Sequence, residues 1–256
     1  MSTSMESTFL SGDETTLMVG ASGATGRLLV GELLKAGQKV KVIVRPSSSF
    51  PEVWNDHDHI IVIKANIAEM GIGEVKMLLA DCGSIASCLG HNLTLKGLFG
   101  KPRKLVADSI QLLCETVRKD TPGKPVKFVL MNTAGNRNKD ADESISIGEK
   151  IVVGLMRWLL PPQADNERAA EYLSAGIGQN HPAVEWVAVR PDSLTNEERV
   201  TEYSVHASPI RSAVFNPGRT SRKNVAHFMA GLITDEELWD KWKGQMPVIY
   251  NATKLI

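Results

Sequence analysis

Apolar residues along this chain gather in short runs, and helical patterns stand between the runs. Thr16-Leu-Met-Val-Gly20 opens as a buried-strand pattern and ends in glycine. Leu28, Leu29, Leu33 and Leu34 then fall at helical spacing within about 25–36, and Gly37 follows as a C-terminal stop. Residues 39–45, 60–64, 84–89, 126–131 and 183–189 read as further strands, and 74–80, 102–119 and roughly 165–175 as further helices. Strands alternating with helices imply βαβ units. The expected fold class is therefore α/β: a doubly wound, mostly parallel sheet of Rossmann type in a single domain over 16–256, with a small C-terminal region on the substrate side.

Two stretches depart from the alternation. Residues 136–143 are polar and predict a mobile loop. Residues 151–160 are apolar and stopped by Pro161-Pro162, and they predict core rather than a flap over a pocket. Residues 1–15 are polar and rich in Ser and Thr, with no cationic segment before an apolar run, so they read as a disordered lead-in and not as a secretion signal. No apolar stretch has the length of a membrane span.

Charge and cysteine use narrow the function classes. Lys+Arg 29 balance Asp+Glu 29, so no basic excess draws a nucleic acid or an anionic membrane, and neither partner is expected. The same balance leaves little self-repulsion and permits a homodimer. Cys82, Cys88 and Cys114 have no metal-ligand spacing and no C-x-x-C. They read as small buried hydrophobes in a reducing, cytoplasmic compartment. The histidines are scattered without metal spacing, and no metal is expected. Trp239 and Trp242 read as core or interface.

The chemistry begins at Val19-Gly-Ala-Ser-Gly-Ala-Thr-Gly26, which follows a strand and opens a helix. A lone three-glycine pattern is a weak signal, but this one has the required context on both sides. The first glycine permits a tight turn, the second lets backbone approach a pyrophosphate, and the third allows close helix packing. Phosphates would then meet exposed N–H groups at the positive end of the helix. The turn predicts a dinucleotide site built from Gly20, Ser22, Gly23, Ala24, Thr25 and Gly26. The second strand ends in Arg45, followed by Ser47, Ser48 and Ser49, and no acid appears until Glu52. An acid there would bind a ribose 2′-hydroxyl, whereas Arg and Ser suit a 2′-phosphate, so Arg45, Ser47 and Ser48 point to NADP(H) rather than NAD.

Gly-Ala-Ser-Gly-Ala-Thr-Gly followed by Val-Ile-Val-Arg resembles the atypical short-chain dehydrogenase/reductase superfamily. The closest look is to its NmrA-like, NAD(P)H-binding group, which includes flavin/biliverdin-IXβ reductase-type proteins. The resemblance covers most of the chain. It implies that Asn66 and Ile67 lie beside the adenine, with Asn66 replacing the usual acid. It also implies that Leu89 and Gly90, in Cys88-Leu-Gly-His91, pass the cofactor. Pro191 and Ser193, in Arg190-Pro-Asp-Ser-Leu194, would border the nicotinamide. Ser221-Arg-Lys-Asn-Val-Ala226 is similar to a helix start of the group and reads as a structural cap.

Active members commonly carry a Ser or Thr after the fifth strand and a Tyr-x-x-x-Lys on the next helix, where the Lys lowers the pKa of the Tyr acid. Thr133, in Asn132-Thr-Ala134, matches the first element and is implied to orient nicotinamide or substrate. Matching Arg168-Ala-Ala-Glu171 to the family helix puts Gln163 at the Tyr position and Glu167 at the Lys position. Tyr172 and Tyr203 have no Lys four residues on. His91 is a candidate proton donor beside a cofactor strand, or a solvent-exposed loop histidine. Asp165 and Asn166 read as pocket groups or as plain helix N-caps.

The resulting expectation is an NADP(H)-dependent oxidoreductase passing hydride to a small carbonyl, quinone or flavin-like substrate. A non-catalytic NADP(H) sensor and a non-redox enzyme on the same fold are the alternatives.

Overall fold

Strands that carry apolar side chains on both faces need helices on both faces, and this chain supplies them. The computed structural model describes residues 15–91, 103–120, 123–138 and 161–252, with Glu143, Gly148, Val152 and Gly154 between the last two stretches. The lead-in expected over 1–15, apart from Thr15, and most of the apolar stretch 151–160 lie outside the described residues. β1 (Thr15–Val19) is buried throughout, and β2 (Lys39–Val44) is buried after its first residue. These pair in parallel with β3 (Ile60–Lys64), β4 (Cys82–Ser87), β5 (Val126–Met131) and β6 (Val184–Pro191), in the order β3-β2-β1-β4-β5-β6.

The remaining strands are short. β7 (Ser193–Thr195) pairs with β9 (Arg219–Ser221) in a separate ribbon. β10 (Val248–Asn251) extends the main sheet in parallel beside β6, and β8 (Tyr203–His206) closes that edge antiparallel.

One face of the sheet is covered by α1 (Ala24–Lys35), α5 (Arg222–Thr234) and α6 (Glu236–Trp242), which share a core with the sheet. The other is covered by α2 (Ile72–Leu79), α3 (Leu105–Asp120) and α4 (Pro161–Glu171). Strand order reverses between β1 and β4, so the carboxyl ends of these two strands flank the crevice where doubly wound sheets bind ligands. Trp239 and Trp242 are core residues, as expected. The three cysteines are free and buried, and burial pushes the Cys82 and Cys88 thiols up to about 12, so they stay neutral and behave as small hydrophobes. Among the described residues no helix is long and apolar enough to cross a membrane.

Two sequence expectations need correction. The helix expected from roughly residue 165 begins earlier, and Pro161 is the first residue of α4. Proline suits a first helical turn because its missing N–H has no helical partner there. Asp165 and Asn166 therefore lie inside the helix and cap nothing on it.

The polar run 136–143 is tied down where it is described. Asn136 and Glu143 are buried, because Arg190 on β6 is itself fully buried and needs a counter-charge. Its guanidinium donates Nη2 to Glu143 Oε1 at 2.7 Å and Nη1 to Glu143 Oε2 at 3.0 Å, a bidentate pair. Nη1 also reaches the Asn136 carbonyl at 2.7 Å, and Nε reaches the Met246 carbonyl at 2.6 Å. Ser221 caps α5 through the backbone N–H groups of Lys223 and Asn224, as its sequence context suggests.

Removing one member of a buried pair strands the other charge. Glu143→Gln is expected to lower unfolding stability by about 3 kcal/mol in urea titrations. A loss below about 1 kcal/mol would show that the Arg190 charge is satisfied by carbonyls alone.

Candidate dinucleotide and acceptor site

The glycine turn joins β1 to α1, and close backbone approach explains two of its three glycines. Gly20 has φ 76°, in the left-handed region. A Cβ there would stand 2.4 Å from the Cys88 carbonyl carbon and 2.6 Å from Leu89 N. A Cβ on Gly26 would stand 2.2 Å from the Gly20 carbonyl oxygen. Gly23 is different: its Cβ would meet only that same oxygen, at 3.3 Å. The fold thus demands Gly20 and Gly26 and tolerates more at Gly23, which is exposed. Gly23 is also the N-cap of α1 and no side chain caps it, so the first-turn N–H groups are available to an anion.

The turn forms one wall of a cleft of about 340 Å³. Of the residues expected to bind cofactor, Gly20, Ser22, Gly23, Arg45, Ser47, Ser48, Asn66, Ile67, Leu89 and Gly90 all line it. Ala24, Thr25 and Gly26 form the first turn of α1 and are not among its lining. Asn66 accepts from Ala68 N at 3.3 Å and donates to Glu69 Oε1 at 2.7 Å, so its side chain also shapes the following turn.

Sequence reading missed Arg27. It lines the cleft on the Arg45 side, and its guanidinium is held by Ser22 O at 2.9 Å and Ser49 O at 2.6 Å. The available signal was an arginine directly after the last glycine, on the first turn of a helix whose opening faces the ligand.

Thr133 and Ser193 fall in a second cavity of about 230 Å³, together with Gly135, Gln163, Asp192, Ala213 and Val214. This cavity sits past the carboxyl ends of β5 and β6. Pro191 is buried at the end of β6, where its carbonyl accepts from Ala134 N at 2.9 Å. Asp192 was quoted in the sequence motif but given no role, and it places a half-buried carboxyl in this cavity. Burial pushes its pKa up, while the N–H groups of Gly218 and Ser193 and the charge of Arg211 pull it back.

His91 is in neither lining, and it is not a solvent-exposed loop residue. Its side chain is 6% exposed, and Nε2 lies 2.8 Å from Asp165 Oδ2. Asp165 is completely buried. It accepts from Val106 N at 2.8 Å and Ala107 N at 3.0 Å, so it caps α3 from α4. His91 and Asp165 thus join the end of β4 to two helices. Neither His91 nor Asp165 is in the lining of either cavity.

A 3-2-1-4-5-6 parallel order with a glycine turn at its switch point defines a doubly wound dinucleotide-binding fold. The chain belongs to the NAD(P)H-binding family, whose model matches residues 20–236. No curated protein matches it by sequence. Solved structures of the same fold include an oxidoreductase from Lactococcus lactis, 15% identical, with TM-score 0.65 over 93% of this chain and 91% of that one. A short-chain dehydrogenase/reductase from Veillonella parvula is 12% identical, with TM-score 0.66 over 95% and 96%. A second short-chain dehydrogenase/reductase from the same organism, in complex with NADP, is 11% identical, with TM-score 0.62 over 95% and 97%.

The glycines separate fold from binding. Gly26→Ala is expected to cost more than about 2 kcal/mol of stability through overpacking. Gly23→Ala should remain folded and lose at least about tenfold in dinucleotide affinity. Thermal unfolding with calorimetric titration reads both, and unchanged affinity in a folded Gly23→Ala protein would remove this site.

Proposed function

We propose that this protein is an NADP(H)-dependent oxidoreductase that passes hydride between the nicotinamide and a small carbonyl, quinone or flavin-like acceptor, without a tyrosine acid. The observation that carries the reading is the lining of the cleft, which combines an uncapped helix N-terminus with Arg27, Arg45, Ser47 and Ser48. The open helix end suits a pyrophosphate. Two guanidinium groups beside serine hydroxyls suit a phosphate monoester, and no acid in that lining competes for a ribose hydroxyl. The Veillonella protein in complex with NADP supports the same cofactor.

Bound there, the reduced nicotinamide supplies the hydride, and the protein supplies position. Thr133 and Ser193 offer hydroxyls in the acceptor cavity. Gln163, where the family carries tyrosine, offers no ionisable proton. Acceptors that take their proton from solvent therefore fit best.

The same absence favours a second reading, a non-catalytic NADP(H) sensor. NADPH consumption across a panel of quinones, flavins and aldehydes separates the two. Turnover of at least one quinone or flavin is expected, and tight NADPH binding with no turnover of any acceptor moves the conclusion to the sensor.

Cofactor choice has its own test. NADPH should bind more tightly than NADH, and Arg45→Ala should cost NADPH about tenfold or more while leaving NADH unchanged, as expected for lost charge-assisted bonds. Equal affinities in the wild-type protein would sink the NADP(H) preference.

A further inference from the structure

The acceptor cavity has a hydrogen-bond polarity that can be worked out atom by atom. Asn132 is oriented by two backbone groups whose roles are fixed: Thr133 N–H donates to its Oδ1 at 2.8 Å, and its Nδ2 donates to the Asn166 carbonyl at 3.0 Å. Asn136 must then donate its Nδ2 to Asn132 Oδ1, which leaves Asn136 Oδ1 as the acceptor facing Gln163. Gln163 Nε2 donates to that oxygen at 2.7 Å, and to Glu167 Oε1 at 3.3 Å. Both amide protons of Gln163 are committed, which leaves Oε1, an acceptor, as its uncommitted polar atom. The relay is held from behind, because Arg190 grips the Asn136 carbonyl.

Asp192 adds a second acceptor. Its oxygens take N–H bonds from Ser193 and Gly218, each at 2.8 Å, and each oxygen keeps a lone pair. Thr133 Oγ1 accepts from Gly135 N at 3.3 Å, so its proton is free, and the Ser193 hydroxyl rotates to suit either role. The described lining contains no Lys, Arg or His.

We infer that the cavity between Thr133, Gln163 and Asp192 recognises a neutral or cationic substrate through hydrogen bonds that the substrate donates, from a hydroxyl, amine or amide N–H group beside its reacting centre, and that it turns away carboxylates and phosphates. Gln163 and Asp192 are the specificity-determining residues. A tyrosine at position 163 would donate to a substrate oxygen, whereas this glutamine accepts from a substrate proton. A carboxylate or phosphate would meet like charge at Asp192, and the described lining holds no cation of its own, Arg211 acting on Asp192 from outside that lining. The inference deepens the proposed oxidoreductase reading and rests on it for the place of the reacting centre, but ligand selection is measurable without turnover.

The test uses three probes that differ at one substituent: meta-hydroxymethylbenzaldehyde, its methyl ether, and meta-carboxybenzaldehyde. Each is titrated onto the full chain, with and without saturating NADP⁺, and followed by ligand-observed NMR. The alcohol should bind about fivefold or more tightly than the ether, as expected for one added hydrogen bond, with the carboxylate weakest. In Gln163→Leu, checked as folded by circular dichroism, the alcohol-to-ether ratio should fall towards one. In Asp192→Asn the carboxylate should gain affinity.

Three results overturn the inference: ether or carboxylate matching the alcohol on the wild-type chain, a ratio that survives Gln163→Leu, or no binding of any probe. The NADP⁺ titration reports separately on the dinucleotide reading. If it alone fails, the probe ranking on the free protein still decides the inference.

Discussion

The backbone of the glycine turn passes so close to the end of β4 that no side chain fits between them. Gly20 abuts the Cys88 carbonyl, and Gly26 abuts the carbonyl of Gly20 itself. That double contact sets how near α1 comes to the strand pair at the switch point. It also aims the open end of α1 into the cleft that Leu89 and Gly90 border. Cys88 N donates to Val19 O at 2.9 Å, so the ladder between β1 and β4 runs up to the turn and holds it in register. A helix dipole acts strongly only within its first turn, so a shift of one residue here would move the helix end relative to Arg45. The ligand site is therefore a consequence of backbone packing before any side chain contributes.

The second cavity is built the other way, from side chains that depend on one another. Arg190 lies at the bottom, fully buried and fixed by Glu143 and by the carbonyls of Asn136 and Met246. Asn136, Asn132 and Gln163 stand on it as a relay whose proton directions are set by backbone groups at its start. Such a network is rigid only when every member is satisfied, which is why Asn136 and Glu143, from a polar run, are buried here. Asp165 plays the corresponding part on the other side of α4, where one carboxylate holds two N–H groups of α3 and the His91 ring. The helix that carries Gln163 is thus pinned on both flanks.

These two modes of construction explain what the sequence disclosed. Six parallel strands were legible because each reads as an apolar run, most of them buried on both faces and β3, at the edge, only in part. The glycine turn was legible because steric demands leave a residue-level mark, and Arg45 because it ends a strand beside the turn. The C-terminal strands were not, since three or four residues carry no period. Asp165 looked like a local helix cap because sequence spacing shows only local partners; its N–H groups belong to Val106 and Ala107, about sixty positions away. Arg190 and Glu143 were likewise invisible as a pair. Arg27 was overlooked because its neighbours supply no acid or serine pattern of their own, and only folding brings Ser49 to it. The start of α4 was placed too late because proline, which suits a first helical turn, also reads as a breaker.

The division also bears on which chemistry suits the site. Hydride delivered to an isolated carbonyl carbon generates an alkoxide, which is strongly basic and needs a proton at the moment it forms. Gln163 cannot supply one, and the charge of Asp192 opposes negative charge developing beside it. Hydride delivered to a quinone or flavin generates an anion spread over a ring, with far weaker demand for a local acid. Burial raises the pKa of Asp192, and its oxygens, each already taking a backbone N–H, are placed to accept a further hydrogen bond. On the proposed reading, a glutamine at position 163 leaves the fold's binding power untouched, because that power rests on glycine backbone and two arginines. What changes is the range of acceptors, which narrows to molecules able to hold the incoming charge themselves.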